Sequence, residues 1–388
     1  MMDWNWCLRM MIFGVCQASG KMPIEFSTNI KLRLSCWFNG ILAEMNGIFT
    51  GWSDGSYDWA FQLHDFLHSP VELPTLDDDL FKTALSKRIL DELLEIYLCL
   101  ISGEHKSIQD YLTGVKFAFV IGYPRSGGSY LTKELFRSIG IDHRRISEAL
   151  AHDGFPDIGE NWFESKSTEP YYYLQESMLQ IAEFLVLSKN YFIERSRPDQ
   201  SGKIIIPKKM HKLINWAGSF RSLLGGDLAD YIVTIRNPLP TAISIYEKSG
   251  GMPAGGKFPA ARPRSAIERW ILNDLNALGF SDSRAAALDY FGAVQISWTR
   301  FHLKMASSGL FSDNANNVTT LPYDPVRYQE FLLGRYAEAD NPNKPEPLLV
   351  HDKYREFPQW LDRADAAIAS MQSIWCDLGL RLPTLTPV

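Results

Sequence analysis

The sequence predicts an α/β protein: a parallel sheet covered by helices on both faces. Two observations carry this. Residues 117–121 (Phe-Ala-Phe-Val-Ile) and 231–236 (Tyr-Ile-Val-Thr-Ile-Arg) are short, nearly unbroken apolar runs, the pattern of strands buried on both sides. Across residues 115–248 such runs alternate with helical patterns, as parallel strands joined by right-handed crossovers do. At 388 residues the chain is long enough for one large α/β domain and a smaller part.

The elements follow in order. Residues 1–112 read as an aromatic-rich N-terminal segment, irregular to about residue 75, followed by an amphipathic helix over 76–103. Asp77, Asp78 and Asp79 suit that helix's first turn. Phe81, Leu85, Ile89, Leu93 and Tyr97 share one face, which predicts packing on the core. Residues 113–388 read as the α/β domain. Within it, 150–200 is a candidate acceptor-binding insert, with a helix from Tyr171 to Lys189. A Gly- and Pro-rich stretch over 249–264 reads as a mobile loop whose Lys257, Arg262 and Arg264 could close over a ligand. Helices are predicted at 264–278, 284–307 and 360–380, and Asn341 to Pro347 reads as a linker.

The first apolar run leads into Gly122-x-x-x-x-Gly127-Gly128-Ser129, a phosphate-loop frame with glycine where an ATP- or GTP-binding loop needs lysine. The glycines admit a close backbone approach, and the following helix start aims N–H groups at an anion. The cation sits inside the loop as Arg125, a planar fork suited to oxyanions. The fold expectation is therefore a three-layer, phosphate-loop-like parallel sheet, binding a nucleotide that is not a triphosphate. The second run ends in Arg236, where a triphosphatase strand ends in a magnesium-holding aspartate. A cation there predicts a second anionic group rather than a metal. Asn237-Pro238 then opens a helix that carries Thr241, Ser244 and Tyr246.

Together these motifs resemble those of the PAPS-dependent sulfotransferases. Tyr123 to Ser129 is similar to the family's 5′-phosphosulfate loop, and Ile235 to Ser244 to its 3′-phosphate motif, in which an arginine and a serine eight positions later grip the 3′-phosphate. Ile204 to Leu213 is similar to the family's strand ending in a lysine, and Val318 to Arg327 is a weak likeness of a further family segment. The resemblance covers about residues 115–335. Gly128 departs from it, standing where the family has threonine or serine.

The resemblance implies sulfuryl transfer from PAPS to a hydroxyl or amine, releasing PAP, with no metal required. It implies donor contacts at Arg125, Ser126, Gly127, Gly128, Ser129, Tyr130, Arg236 and Ser244, and leaving-group stabilisation by Arg125 and Lys209. Lys208 is the rival of Lys209, because strand register decides which one faces the cleft. An acceptor hydroxyl must lose its proton. Glu148 is the leading candidate base, by similarity to the bacterial trehalose-type and tyrosylprotein sulfotransferases. His152, Asp153, His143 and His211 are alternatives, His211 because the cytosolic aryl and steroid enzymes use a histidine. Two other readings compete: a nucleotide phosphotransferase or hydrolase on the same sheet, and a PAP(S)-binding protein without catalysis.

Net charge is −6, from 39 basic and 45 acidic residues, which gives a nucleic-acid role no support. Five scattered cysteines lack metal-ligand spacing and fit reduced thiols. No run of 18 apolar residues predicts a membrane span. Asp3 and the single Arg9 before Met10 to Cys16 argue against a signal peptide. The expectation is a cytoplasmic enzyme, possible as a homodimer, acting on a small carbohydrate, lipid, phenol or natural-product acceptor. Trp162 and Tyr171 to Tyr173 are candidates to line the acceptor pocket.

Overall fold

The computed structural model describes residues 87–142, 148–153, 170–199, 201–311, 317–336 and 355–385. The irregular N-terminal segment, His143, Trp162 and the 341–347 linker lie outside them. In chain order the regular elements are α1 (Lys87–Ser102), α2 (His105–Tyr111), β1 (Val115–Gly122), α3 (Gly128–Ser138), α4 (Glu148–Ala151), α5 (Pro170–Ile193), β2 (Ile204–Lys209), α6 (Ala217–Leu224), β3 (Ala229–Ile235), α7 (Pro238–Lys248), α8 (Ala266–Ala277), α9 (Asp282–Ala287), α10 (Tyr290–Ser307), β4 (Val318–Pro322), α11 (Pro325–Arg335) and α12 (Pro358–Asp377).

The chain divides into two compact units. One comprises Met1–Glu104, Ser147–Leu150 and Gly154–Tyr191; the other comprises His105–Ile146, Ala151–Asp153 and Phe192–Val388. The 150–200 stretch contributes to both units. In the first unit, Ile89, Leu93 and Tyr97 of α1 are buried, as their common face predicts. Asn190 of α5 donates to Glu92 of α1 (2.8 Å). Ile181, Ala182, Phe184, Leu185 and Val186 of α5 are all buried. From Gln180 to Phe192 nearly every position of this helix is buried, which is why that stretch shows no clean apolar stripe.

The second unit holds an all-parallel four-stranded sheet in the order β2-β1-β3-β4. In β1, Val120 lies opposite Lys209 of β2, and Gly122 opposite Thr234 of β3. Alternate side chains serve opposite faces. Ala118, Val120, Ile205, Ile232 and Leu321 form one face, packed with Leu131 and Leu135 of α3 and with Tyr328 and Leu332 of α11. On the other face Phe119 stacks on Phe117 (5.5 Å) and Tyr231 (5.6 Å) and meets Phe220 of α6 edge-on (5.9 Å). Truncating such a ring to alanine costs about 3–5 kcal/mol.

This order contains a reversal. The chain leaves β1 toward β2 on one side, and leaves β3 toward β4 on the other. The carboxyl ends of β1 and β3 therefore flank a topological switch point, where open α/β sheets bind ligands.

Two expectations are refined. The helix expected over 284–307 is two, α9 and α10, because Asp289 takes the cap position and accepts the N–H of Gly292 (2.8 Å). The 249–264 stretch, expected to be mobile, is tied down. Arg264 bonds the fully buried Glu268 (2.6 Å) and the Gly251 carbonyl (2.8 Å), Lys257 donates to the Ala287 carbonyl (2.9 Å), and Phe258 is buried. Glu268 needs a cation once buried, and Arg264 is that cation rather than a ligand clamp.

Candidate functional site

The loop after β1 is shaped by two glycines. Gly122 is required by contact: a Cβ there would collide with Thr234 Oγ1 and Ser126 Oγ. Gly127 is required by conformation, with φ 92°, and a Cβ there would also fall 2.8 Å from Tyr323 Cδ2. Between them Arg125 has φ 69°, the single non-glycine residue with positive φ among the described residues. Strain of this kind costs of order 1–3 kcal/mol and gathers at functional sites. Gly127 caps α3 without a side-chain bond, and the first helical bond runs from Leu131 N–H to the Gly127 carbonyl (3.0 Å). The N–H groups of Gly128 and Ser129 precede it, at the positive end of the helix dipole.

β3 delivers the second cation. Arg236, 5% exposed, donates to the Arg125 carbonyl (3.3 Å), and its guanidinium lies 4.0 Å from the centre of the Tyr323 ring. Its backbone carbonyl accepts the indole N–H of Trp298 (3.0 Å). Burial pulls the Arg236 pKa down, Tyr323 opposes that, and Arg125 adds to it. Asn237 caps α7 by accepting the Leu239 N–H (2.9 Å), with Pro238 at the first helical position. α7 carries Ser244, whose Oγ accepts Arg125 Nε at 2.9 Å. Two guanidiniums and an uncapped helix start therefore converge at the switch point, and among the described residues no carboxylate pairs with Arg125. Such a cluster of positive groups suits a polyanion.

β2 supplies an amine. A Cβ on Gly128 would lie 3.6 Å from Lys209 Cε. The neighbouring strand thus brings a lysine to the spot where an ATP-binding loop would carry its own. Lys209 Nζ bonds Asp153 Oδ2 (2.9 Å). Lys208, fully buried, donates to the His152 carbonyl (2.5 Å). Of the two rivals it is Lys209 that borders the loop.

Asp153 also binds His211. It accepts the His211 backbone N–H (2.7 Å) on Oδ1 and the imidazole Nδ1 on Oδ2. The imidazole stacks on the Trp270 indole, with centroids 4.3 Å apart and planes at 27°. Burial pushes the Asp153 carboxyl up, but His211 and Lys209 outweigh it and hold it well below the usual carboxylate range. Burial pulls His211 below the ordinary histidine range, against the pull of Asp153. The pair is thus a neutral imidazole beside an ionised carboxylate. Behind the loop, Tyr123 donates to Ser297 (3.0 Å), which donates to Asp274 (2.5 Å), itself paired with Arg300 (2.5 Å).

The expected residues fare differently. Arg125, Gly127, Gly128, Ser129, Arg236 and Ser244 are brought together around the switch point. Tyr130 stacks on Tyr328 (6.5 Å). Ser126, expected as a donor contact, is turned inward: its hydroxyl meets Thr234 Oγ1 (2.9 Å), its N–H donates to Tyr123 and its carbonyl accepts Tyr328 OH (3.1 Å). Its observed role is to fix the loop, since Gly122 leaves room for it against Thr234. Glu148 opens α4, and its side chain lies outside what is described, as do those of Tyr171 to Tyr173. Trp270 and Tyr323 were not foreseen; the spacing Lys209-x-His211 was the one visible sign that amine and imidazole share a strand end.

Comparison with protein-family models, curated proteins and solved structures finds no match for this chain. Among the described residues, no group of three or more His, Cys, Asp or Glu is placed to hold a metal ion, and no helix is long and apolar enough to cross a membrane.

Proposed function

We propose that this protein is a PAPS-dependent sulfotransferase acting on a small acceptor. The observation that carries the reading is the pair Arg125 and Arg236, set at the ends of β1 and β3 on either side of the switch point. A triphosphate enzyme on this sheet would have lysine at position 128 and an aspartate at position 236; this chain has glycine and arginine. The donor fits the residues present. Arg125 and the N–H groups of Gly128 and Ser129 would hold the 5′-phosphosulfate, and Arg236 with Ser244 the 3′-phosphate. The donor supplies an activated sulfuryl group, whose transfer leaves PAP.

The chain's own residues account for the other demands. Lys209 and Arg125 offset negative charge growing on the departing phosphate, in a site where fixed cations need no reorganisation. His211, with Nδ1 engaged by Asp153, offers Nε2 as proton acceptor. Glu148 stays a candidate base from the sequence resemblance alone. A small carbohydrate, lipid, phenol or natural product acceptor, a cytoplasmic setting and a homodimer belong to the same reading.

Incubation with PAPS and a library of hydroxyl and amine acceptors tests it. PAP formed only when an acceptor is present supports it. ADP released from ATP and magnesium, with PAPS inert, favours a phosphotransferase. PAP binding with no turnover on any acceptor favours a binding protein.

A further inference from the structure

One carboxylate stands between the amine and the imidazole of this site. Asp153 Oδ2 takes Lys209 Nζ and His211 Nδ1, and Oδ1 takes the His211 backbone N–H. Trp270 covers one face of the same ring. We infer that Asp153 and Trp270 are positioning residues that hold His211 in the tautomer with its lone pair on Nε2, and that Asp153 links the base to the leaving-group lysine. The use of this arrangement rests on the sulfuryl-transfer reading; the arrangement itself does not.

An ionised carboxylate accepts and cannot donate, so the ring proton must sit on Nδ1. The Nε2 lone pair is then fixed without any help from the acceptor. During transfer, the acceptor oxygen bonds to sulfur while its proton passes to Nε2. The electron pair of the broken sulfur–oxygen bond stays on the phosphate. His211 becomes a cation at the moment when Lys209 is needed as one. Two positive groups on one strand end would repel, and Asp153 between them reduces that cost. The charged groups acting on the imidazole are Asp153, Lys209 and Lys212. Trp270 adds a π-face that favours the cationic ring by about 0.5–2 kcal/mol and stops it rotating away.

The test has two readouts. In wild-type protein, long-range proton–nitrogen correlation spectra of His211 need no turnover. The inference expects the proton on Nδ1; a proton on Nε2 overturns it. Asp153→Asn places an amide where only acceptors fit, and its N–H will drive the ring proton to Nε2. The expected result is that switch, with kcat lower by about 10²–10⁴-fold and KM within about threefold. An unchanged kcat overturns the inference, because a merely structural carboxylate would shift stability and not the tautomer. Trp270→Ala should lower kcat by about tenfold and Trp270→Phe should restore it; loss in both alike removes Trp270 from the proposal. If wild-type protein turns over no acceptor with PAPS, the sulfuryl-transfer reading fails, and the spectra still decide the positioning.

Discussion

Arg125 and Ser244 lie 119 residues apart and meet through a 2.9 Å bond from Nε to Oγ. The bond joins the loop after β1 to the helix after β3, and so spans the switch point. It also holds the left-handed Arg125 in one orientation while Arg236 grips its carbonyl from behind. Each half of the candidate donor site thus depends on the other.

Ser244→Ala should weaken PAP binding by about tenfold, the size of one hydrogen bond to a charged group at a partly exposed site. Arg236→Ala should weaken PAP by about 100-fold, as truncating a buried charge in a charge pair does. Adenosine 5′-phosphosulfate, which lacks the 3′-phosphate, should lose less than about tenfold. Calorimetry with both ligands measures this, and equal losses contradict the 3′ assignment.

The loop glycines should separate cleanly. At Gly128 an added Cβ meets only ordinary contacts, 3.6 Å from Lys209 Cε and Val120 Cγ1, within a helix. Gly128→Ala should therefore be neutral or stabilise by up to about 1 kcal/mol. Gly127→Ala forces a side chain into φ 92° against Tyr323 and should cost about 2 kcal/mol or more. Urea unfolding of the two variants gives the comparison.

The adjacent lysines should part in activity. Lys208→Met leaves the His152 carbonyl without its buried donor and should cost about 1–3 kcal/mol of stability, with kcat of the folded protein within about threefold. Lys209→Met breaks a largely buried pair with Asp153, so it should cost about 3–5 kcal/mol of stability and lower kcat of the folded protein by about 10²–10³-fold. A Lys209 variant with full activity would take that residue out of the leaving-group role.

His302 sets a pH dependence. It is fully buried on α10, its Nδ1 bonds the Trp298 carbonyl (2.7 Å), and it packs beside Tyr123 of the loop. Burial pushes its pKa down to about 4 from 6.5. Between those values the unfolded chain binds a proton that the folded chain refuses, so stability falls as pH drops from about 6.5 to about 4. The loss totals about 3 kcal/mol. His302→Gln should flatten this limb of the urea-midpoint profile, while wild type steepens through it.

Three strands, the phosphate-loop frame and the arginine at the end of β3 were legible in the sequence because each is local. Apolar runs, paired glycines and a proline after a strand act within a few residues. The weak likeness at 318–327 gave no clear strand, since β4 is an edge with only Leu321 and Pro322 buried. The inward turn of Ser126 was hidden because it depends on the contact between Gly122 and Thr234 across two strands. Asp153 and His211 are 58 residues apart, and only the fold shows that they pair. Lys208 and Lys209 differ by the strand's alternation, which spacing cannot orient until the neighbours of β2 are known.

The most direct measurement is calorimetric titration of the purified protein with PAP, beside ATP with magnesium. Tight PAP binding with no ATP signal is the predicted result. ATP binding without PAP binding would contradict the assignment of Arg125 and Arg236 to a 3′,5′-bisphosphate donor and return the loop to a triphosphate enzyme.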